Sequence, residues 1–207
     1  MNKIGFLGCG NMGGALAKAA VKSVGAENIF VFDVDSKKIK DFAEETDVNV
    51  ADAEYIVSNC DYIFLGVKPQ MLKSLFEKIA PVIEDRTTDF TLVSMAAGVS
   101  LASIGAMAQV DCPIIRIMPN MPVAVGEGMI LYTVNDFVSK EDLDGFLDAM
   151  QYAGVLDRID EDKIDAASAV SGCGPAFVFM FCEALADGAV ECGLPRDKAL
   201  LYAAQTL

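Results

Sequence analysis

Three glycines at the spacing GxGxxG, in Gly8-Cys9-Gly10-Asn11-Met12-Gly13, are the first residues whose types and positions can do chemistry. Between a strand and a helix, the first glycine allows a tight turn and the second lets backbone approach a diphosphate. The third lets the helix pack on the strand. The helix start, with Asn11 and Met12 at the turn, then offers free N–H groups and partial positive charge to the anion. Twenty residues after Gly13 stands Asp33, where such a unit places the acid that binds the adenosine ribose hydroxyls. Further on, Val67-Lys68-Pro69 follows an apolar run, and Lys68 can reach a cofactor ribose or phosphate or lie solvated in a loop. The small residues Ala96-Ala97-Gly98 suit close passage beside a flat nicotinamide ring, or simply a turn. In Pro119-Asn120-Met121-Pro122 two prolines fix the backbone and aim Asn120 at nicotinamide or substrate.

These residues need elements to hold them. Apolar runs at Ile4 to Leu7, Ile29 to Phe32, Val48 to Val50, Tyr62 to Val67, Leu92 to Met95 and Ile114 to Met118 read as buried parallel strands. Each candidate above falls at the end of one of them, where an open parallel sheet takes its ligands. Helical spacing fills the gaps, with Asp35 or Ser36 and then Asp52 as N-caps. The helix from Met71 to Ile79 is expected to close at Pro81. Met129 to Tyr132 and Val155 to Ile159 are expected as edge strands, and Ser139-Lys140-Glu141-Asp142 opens a helix with a capping box between them. Near Asp160 the strands stop. Ile164 to Val170 reads as a short helix, Pro175 begins a long one to about Glu191, and Pro195 begins the last. The long helix is apolar on more than one side, which predicts burial at a subunit interface. The chain ends inside a helix at Leu207 and reads as cut short there. The fold expected is α/β: a Rossmann-type, doubly wound, mostly parallel sheet over residues 1–161, then a small all-helical dimerisation and substrate domain over 162–207.

Composition narrows the chemistry. The chain has 207 residues, no histidine and a net charge of −14. That charge argues against nucleic acid or an anionic membrane as partner. Without histidine the commonest general base and metal ligand are missing, and the six cysteines form no CxxC pair, so no metal is expected. The cysteines read as reduced core residues of a cytoplasmic protein. Cys9 is the exception, since a helix N-terminus favours a thiolate. No signal peptide is read at the start. Phe90 to Val110, the longest uncharged stretch, is broken by Ser94, Gly98, Ser100, Ser103 and Gly105, so a strand, turn and helix is expected there and not a membrane span. Asp33 would repel a 2′-phosphate and Lys37 and Lys38 would attract one, so the sequence leaves NADH and NADPH both open.

Together, Gly8 to Gly13, Gly66-Val67-Lys68-Pro69, Ala96 to Ser100, Arg116 to Pro122 and Ser168-Ala169-Val170-Ser171-Gly172-Cys173-Gly174-Pro175-Ala176 resemble the pyrroline-5-carboxylate reductase family of proline biosynthesis. The resemblance implies hydride transfer from NADPH or NADH to the C=N carbon of 1-pyrroline-5-carboxylate, yielding L-proline. It implies that Ser171, Gly172, Cys173, Gly174 and Pro175 hold the substrate, with Asn120 shared between substrate and cofactor. Gly8, Gly10, Asn11, Met12, Gly13, Asp33, Val67, Lys68, Pro69 and Ala97 would hold the cofactor. It also implies a homodimer through the C-terminal helices, often assembled further into decamers. This sequence departs from the family at Cys173, where members commonly carry serine, at Phe177, where an aromatic hydroxyl is common, and at Ala53, where some have an adenosine-contacting asparagine. The family's Gly-Gly-Thr-Thr loop, which helps bind substrate, would lie beyond Leu207. A β-hydroxyacid dehydrogenase shares the N-terminal pattern but needs a lysine where Val178 stands, so alcohol oxidation would lack its base. A non-catalytic, nucleotide-binding regulatory protein is the reading from a different class.

Overall fold

Four short runs, Ile4–Leu7 (β1), Ile29–Phe32 (β2), Asn49–Val50 (β3) and Tyr62–Leu65 (β4), begin the sheet of the computed structural model, which describes residues 2–207. Thr91–Ser94 (β5), Ile114–Pro119 (β6), Gly128–Val134 (β7) and Gly154–Arg158 (β8) complete it in the order β3-β2-β1-β4-β5-β6-β7-β8. β1 to β6 are mutually parallel, β7 runs against β6, and β8 runs parallel to β7. Strand alternation supplies two apolar faces. Phe6 and Phe64, whose rings stack at 4.5 Å, face one core, while Leu7, Ile63 and Leu65 face the other.

Helices cover both faces. Asn11–Val24 (α1) and, later in the chain, Lys140–Met150 close the first core through Leu16, Ala20, Phe146 and Met150. Ser36–Thr46 (α2) starts on the Asp35 side chain, which accepts from the N–H groups of Lys37 and Lys38. The second core is closed by Ala53–Asn59 (α3), capped by Asp52, by Leu72–Glu84 (α4) and by Leu101–Ala108 (α5). The Lys140–Met150 helix (α6) carries the expected capping box between Ser139 and Asp142.

Two expectations are corrected here. α4 does not stop at Pro81 but runs through it. Pro81 lies on the exposed side, where water can serve the carbonyl its missing N–H abandons, while Ile79 and Ile83 stay buried on either side of it. β7 is not an edge strand: it is flanked by β6 and β8, and β8 alone of the two ends the sheet. Gly154, at φ +133°, is packed so closely on β7 that a side chain there would strike the Gly128 backbone, while one on Gly128 would strike Val123 and the Ala153 carbonyl.

Arg116 on β6 is a tie that its position in an apolar run does not announce. Only 4% exposed, it pairs with Glu161 at 3.0 Å and Asp165 at 3.1 Å. Glu161 also accepts from the Leu101 N–H at 2.7 Å, which joins β6 to the start of α5.

The chain divides into two compact units, one up to Asp165 and one from Ala166 to Leu207. Ile164–Ser171 (α7) spans the division at Ala166; Gly174–Glu191 (α8) and Arg196–Thr206 (α9) follow. In the second unit α8 and α9 meet through Ala186, Ala199 and Ala203. The large side chains of α8 are outside: Phe177 is 65% and Phe181 55% exposed, with Phe179, Met180 and Leu185 beside them. The run Glu161–Glu191 is long and apolar enough to cross a membrane by length and composition, and it is almost entirely unburied. Phe90 to Val110, by contrast, resolves into β5, a turn and α5.

The reading of all cysteines as core holds for Cys9, Cys60 and Cys112 only. Cys173 and Cys192 are exposed, because both belong to the thinly packed second unit, and all six thiols are free.

Candidate active site

The glycine turn is packed shut behind and open in front. Gly8 sits at φ +105°, a conformation that suits glycine. Its N–H donates to the Phe32 carbonyl at 2.8 Å, and the Gly66 N–H donates to the Leu7 carbonyl at 2.9 Å. A Cβ on Gly13 or on Gly66 would collide with the Gly8 carbonyl oxygen. Gly66, the first residue after β4, is therefore as necessary to the turn as Gly8 or Gly13. Its signal was a glycine ending a buried strand, but only the pairing of β4 with β1 reveals the need.

Gly10 differs. A Cβ there would meet nothing within 4 Å. It is the N-cap of α1, and no side chain caps that helix. The first-turn N–H groups thus have no side-chain partner at the positive end of a 14-residue helix, and the space beside Gly10 is open. The arrangement fits a diphosphate: backbone donors, helix charge, and room for the phosphate oxygens where a side chain would stand.

Asp33, just past β2, accepts from the Cys9 N–H at 2.9 Å through one oxygen and from the Asp35 N–H at 3.1 Å through the other. It lines an open cleft of about 670 Å³ with Phe32, Ser36, Asp52 and Tyr55. Of these, Ser36 and Asp52 stood out in the sequence only as helix-start residues, while Phe32 and Tyr55 gave no sign. The parallel pairing of β2 with β3 brings these segments together.

The thiolate expected at Cys9 is contradicted. Burial, reinforced by the charge of Asp33, pushes its thiol up to about 12, so it is neutral at physiological pH. The side chain is 2% exposed and packs in the core under α1, where desolvation outweighs the pull of the helix terminus.

Val67, Lys68 and Pro69 follow β4 and Ala97 follows β5, with Lys68 and Ala97 exposed. Since β1, β2, β4, β5 and β6 are parallel, the Gly8 turn, Asp33, Lys68, Ala97 and Asn120 share one edge of the sheet. Asn120 is 9% exposed, and its Oδ1 accepts from the Met129 N–H at 2.8 Å, which fixes the turn between β6 and β7.

In the second unit Ser171 to Pro175 joins α7 to α8. The Gly172 N–H already donates to the Ser168 carbonyl at 2.7 Å. Cys173 caps α8 without a side-chain hydrogen bond, Pro175 stands in its first turn, and a Cβ on Gly174 would meet nothing within 4 Å. The Ala176 N–H donates to the Cys173 carbonyl at 3.1 Å and Pro175 has no N–H, so the donors this start can offer an anion are those of Cys173 and Gly174. Among the described residues no cluster of acids or cysteines could hold a metal ion.

A doubly wound sheet, an uncapped helix behind a glycine turn, an acid after the second strand and an adjoining cleft define a dinucleotide-binding oxidoreductase fold. The family described as pyrroline-5-carboxylate reductase dimerisation matches residues 161–207, and that described as NADP oxidoreductase, coenzyme F420-dependent, matches residues 3–98. Pyrroline-5-carboxylate reductase of Escherichia coli is 37% identical over 99% of this chain and 76% of its own length. The Coxiella burnetii enzyme of that name superposes with a TM-score of 0.91 at 29% identity, over 99% of this chain and 76% of its own. The Plasmodium falciparum pyrroline carboxylate reductase, solved with NADP bound, does so at 0.86 and 32%, over 99% and 75%. The chain belongs to the pyrroline-5-carboxylate reductase family.

Proposed function

We propose that this chain binds NADH or NADPH along the shared strand-end edge and reduces 1-pyrroline-5-carboxylate to L-proline. The observation that carries the reading is the turn closed by Gly8, Gly13 and Gly66 yet open at Gly10, in a chain similar over nearly its whole length to enzymes of that name. Bound there, the reduced nicotinamide supplies the hydride that the C=N carbon accepts. The turn and the α1 N-terminus hold the diphosphate, Asp33 the adenosine ribose, and Lys68 and Ala97 the nicotinamide half. Asn120, tied to Met129, shapes the backbone that the nicotinamide or substrate meets more than it reaches out itself.

The substrate carboxylate belongs at the start of α8. The Gly172 N–H is spent on Ser168, the Ala176 N–H on Cys173, and Pro175 has none, so the donors for the carboxylate are the N–H groups of Cys173 and Gly174. A protonated imine is already electrophilic, and the nitrogen keeps its proton as the carbon is reduced. Positioning then matters more than a strong general acid, which suits a chain without histidine. Residues 1–161 form the cofactor domain and 162–207 the dimerisation and substrate domain. The second copy covers the exposed face of α8, and the free thiols suit a reducing cytoplasm.

Oxidation of NADH or NADPH should proceed with pyrroline-5-carboxylate, while hydroxyisobutyrate should give no reverse reaction. Gly174→Val should abolish turnover and leave cofactor titration by fluorescence unchanged. Turnover surviving that substitution would place the carboxylate elsewhere, and no turnover in the unaltered protein despite tight cofactor binding would favour a regulatory role.

A further inference from the structure

We infer that the adenosine end of this site selects the plain ribose of NADH over the 2′-phosphorylated ribose of NADPH, with Asp33 deciding between them. The inference rests on the dinucleotide reading proposed above. The family does not settle the matter, since the Plasmodium relative was solved with NADP. The residues of this chain do.

Asp33 is not a loose surface acid. Each of its carboxylate oxygens takes one backbone N–H, from Cys9 in the glycine turn and from Asp35. That holds the carboxylate beside the diphosphate cradle. A carboxylate has about four acceptor positions, so each oxygen keeps one for a ribose hydroxyl. Two hydroxyls can donate to it; a 2′-phosphate can only repel it. The cleft it faces holds a second acid, Asp52, and among the described residues no lysine or arginine lines it. Asp52 spends an acceptor on the Tyr55 N–H. Lys37 and Lys38, which the sequence offered as phosphate partners, stand on the exposed first turn of α2 outside that lining, and their N–H groups serve Asp35; the Lys38 charge does reach the Cys9 thiol, where that of Asp33 outweighs it. A bidentate guanidinium, the usual host for a 2′-phosphate, is absent from the cleft.

The test is fluorescence titration of the whole chain with NADH and with NADPH, repeated on Asp33→Asn. The variant keeps one carbonyl oxygen to accept from Cys9, gives up the acceptor that served the Asp35 N–H, and removes the charge while leaving Lys37 and Lys38 in place. NADH is expected to bind at least tenfold more tightly than NADPH, and Asp33→Asn should cut that ratio to below threefold by tightening NADPH. A ratio below tenfold in the unaltered protein overturns the preference while leaving the dinucleotide site standing. A ratio that Asp33→Asn leaves at tenfold or more removes Asp33 as the deciding residue. If neither nucleotide binds, the dinucleotide reading falls with it. The unaltered protein's ratio needs no variant to fold.

Discussion

The two units bury different things. In the first, Phe6, Phe64 and Phe146 are fully enclosed between sheet and helices. In the second, alanines occupy the contact between α8 and α9, and Phe177, Phe179 and Phe181 face outward. Each such side chain left in water forgoes roughly 1.5–3 kcal/mol of burial. The first unit therefore encloses its largest apolar side chains, whereas the second leaves those of α8 exposed. A contiguous apolar patch of that kind marks an interface, in agreement with the dimerisation family that matches residues 161–207. Gly10 and Gly174 both stand at helix starts with empty space where a side chain would be.

The comparison can be broken most sharply at Gly10. Gly10→Val fills the diphosphate cradle without touching the fold, so nicotinamide nucleotide affinity should fall by more than about a hundredfold. The melting temperature should fall by no more than ~4 °C, the cost of a valine N-cap worth about 1 kcal/mol less than glycine. A large drop in melting temperature would mean that the space is structural. Next in size is the outward face of α8. Phe177→Asp with Phe181→Asp puts two charges where two exposed rings stand. Sedimentation at micromolar concentration should show monomers, while nucleotide titration, a property of the first unit, stays intact. An oligomer that survives both changes would move the interface off α8.

The smallest effect is a pH slope confined to the first unit. Burial raises Cys60 as well as Cys9 to about 12 and Cys112 to about 11. In the unfolded chain these thiols lose protons from about pH 9; in the folded one they hold them to about 11 or 12. The unfolded state then binds fewer protons across that window, so stability is full below about pH 9 and falls as pH rises toward 12. Denaturant titrations from pH 7 to 11 should be flat at first and then decline. Cys9→Ala with Cys60→Ala should shallow the decline, and a rise in stability above pH 9 would contradict neutral, buried thiols.

Much of this was legible because it is local. A strand of alternating faces, a turn that needs φ near +105° at Gly8, and caps at Asp35, Asp52 and Ser139 depend on sterics and hydrogen bonds within a few residues. The residue pattern alone therefore determined a doubly wound sheet, the diphosphate turn at its first strand and the acid at the end of the second. Only the tertiary structure decided what depends on neighbours distant in the chain. β4 lying beside β1 makes Gly66 part of the turn. β8 beside β7 puts β7 inside the sheet. Desolvation under α1 silences the Cys9 thiol, and β3 beside β2 turns Asp52 and Tyr55 into walls of the cleft that Asp33 faces. Spacing along the chain encodes which backbone conformations are allowed; it does not encode which side chains end up in contact across a sheet, and that contact sets charge, access and room for a ligand.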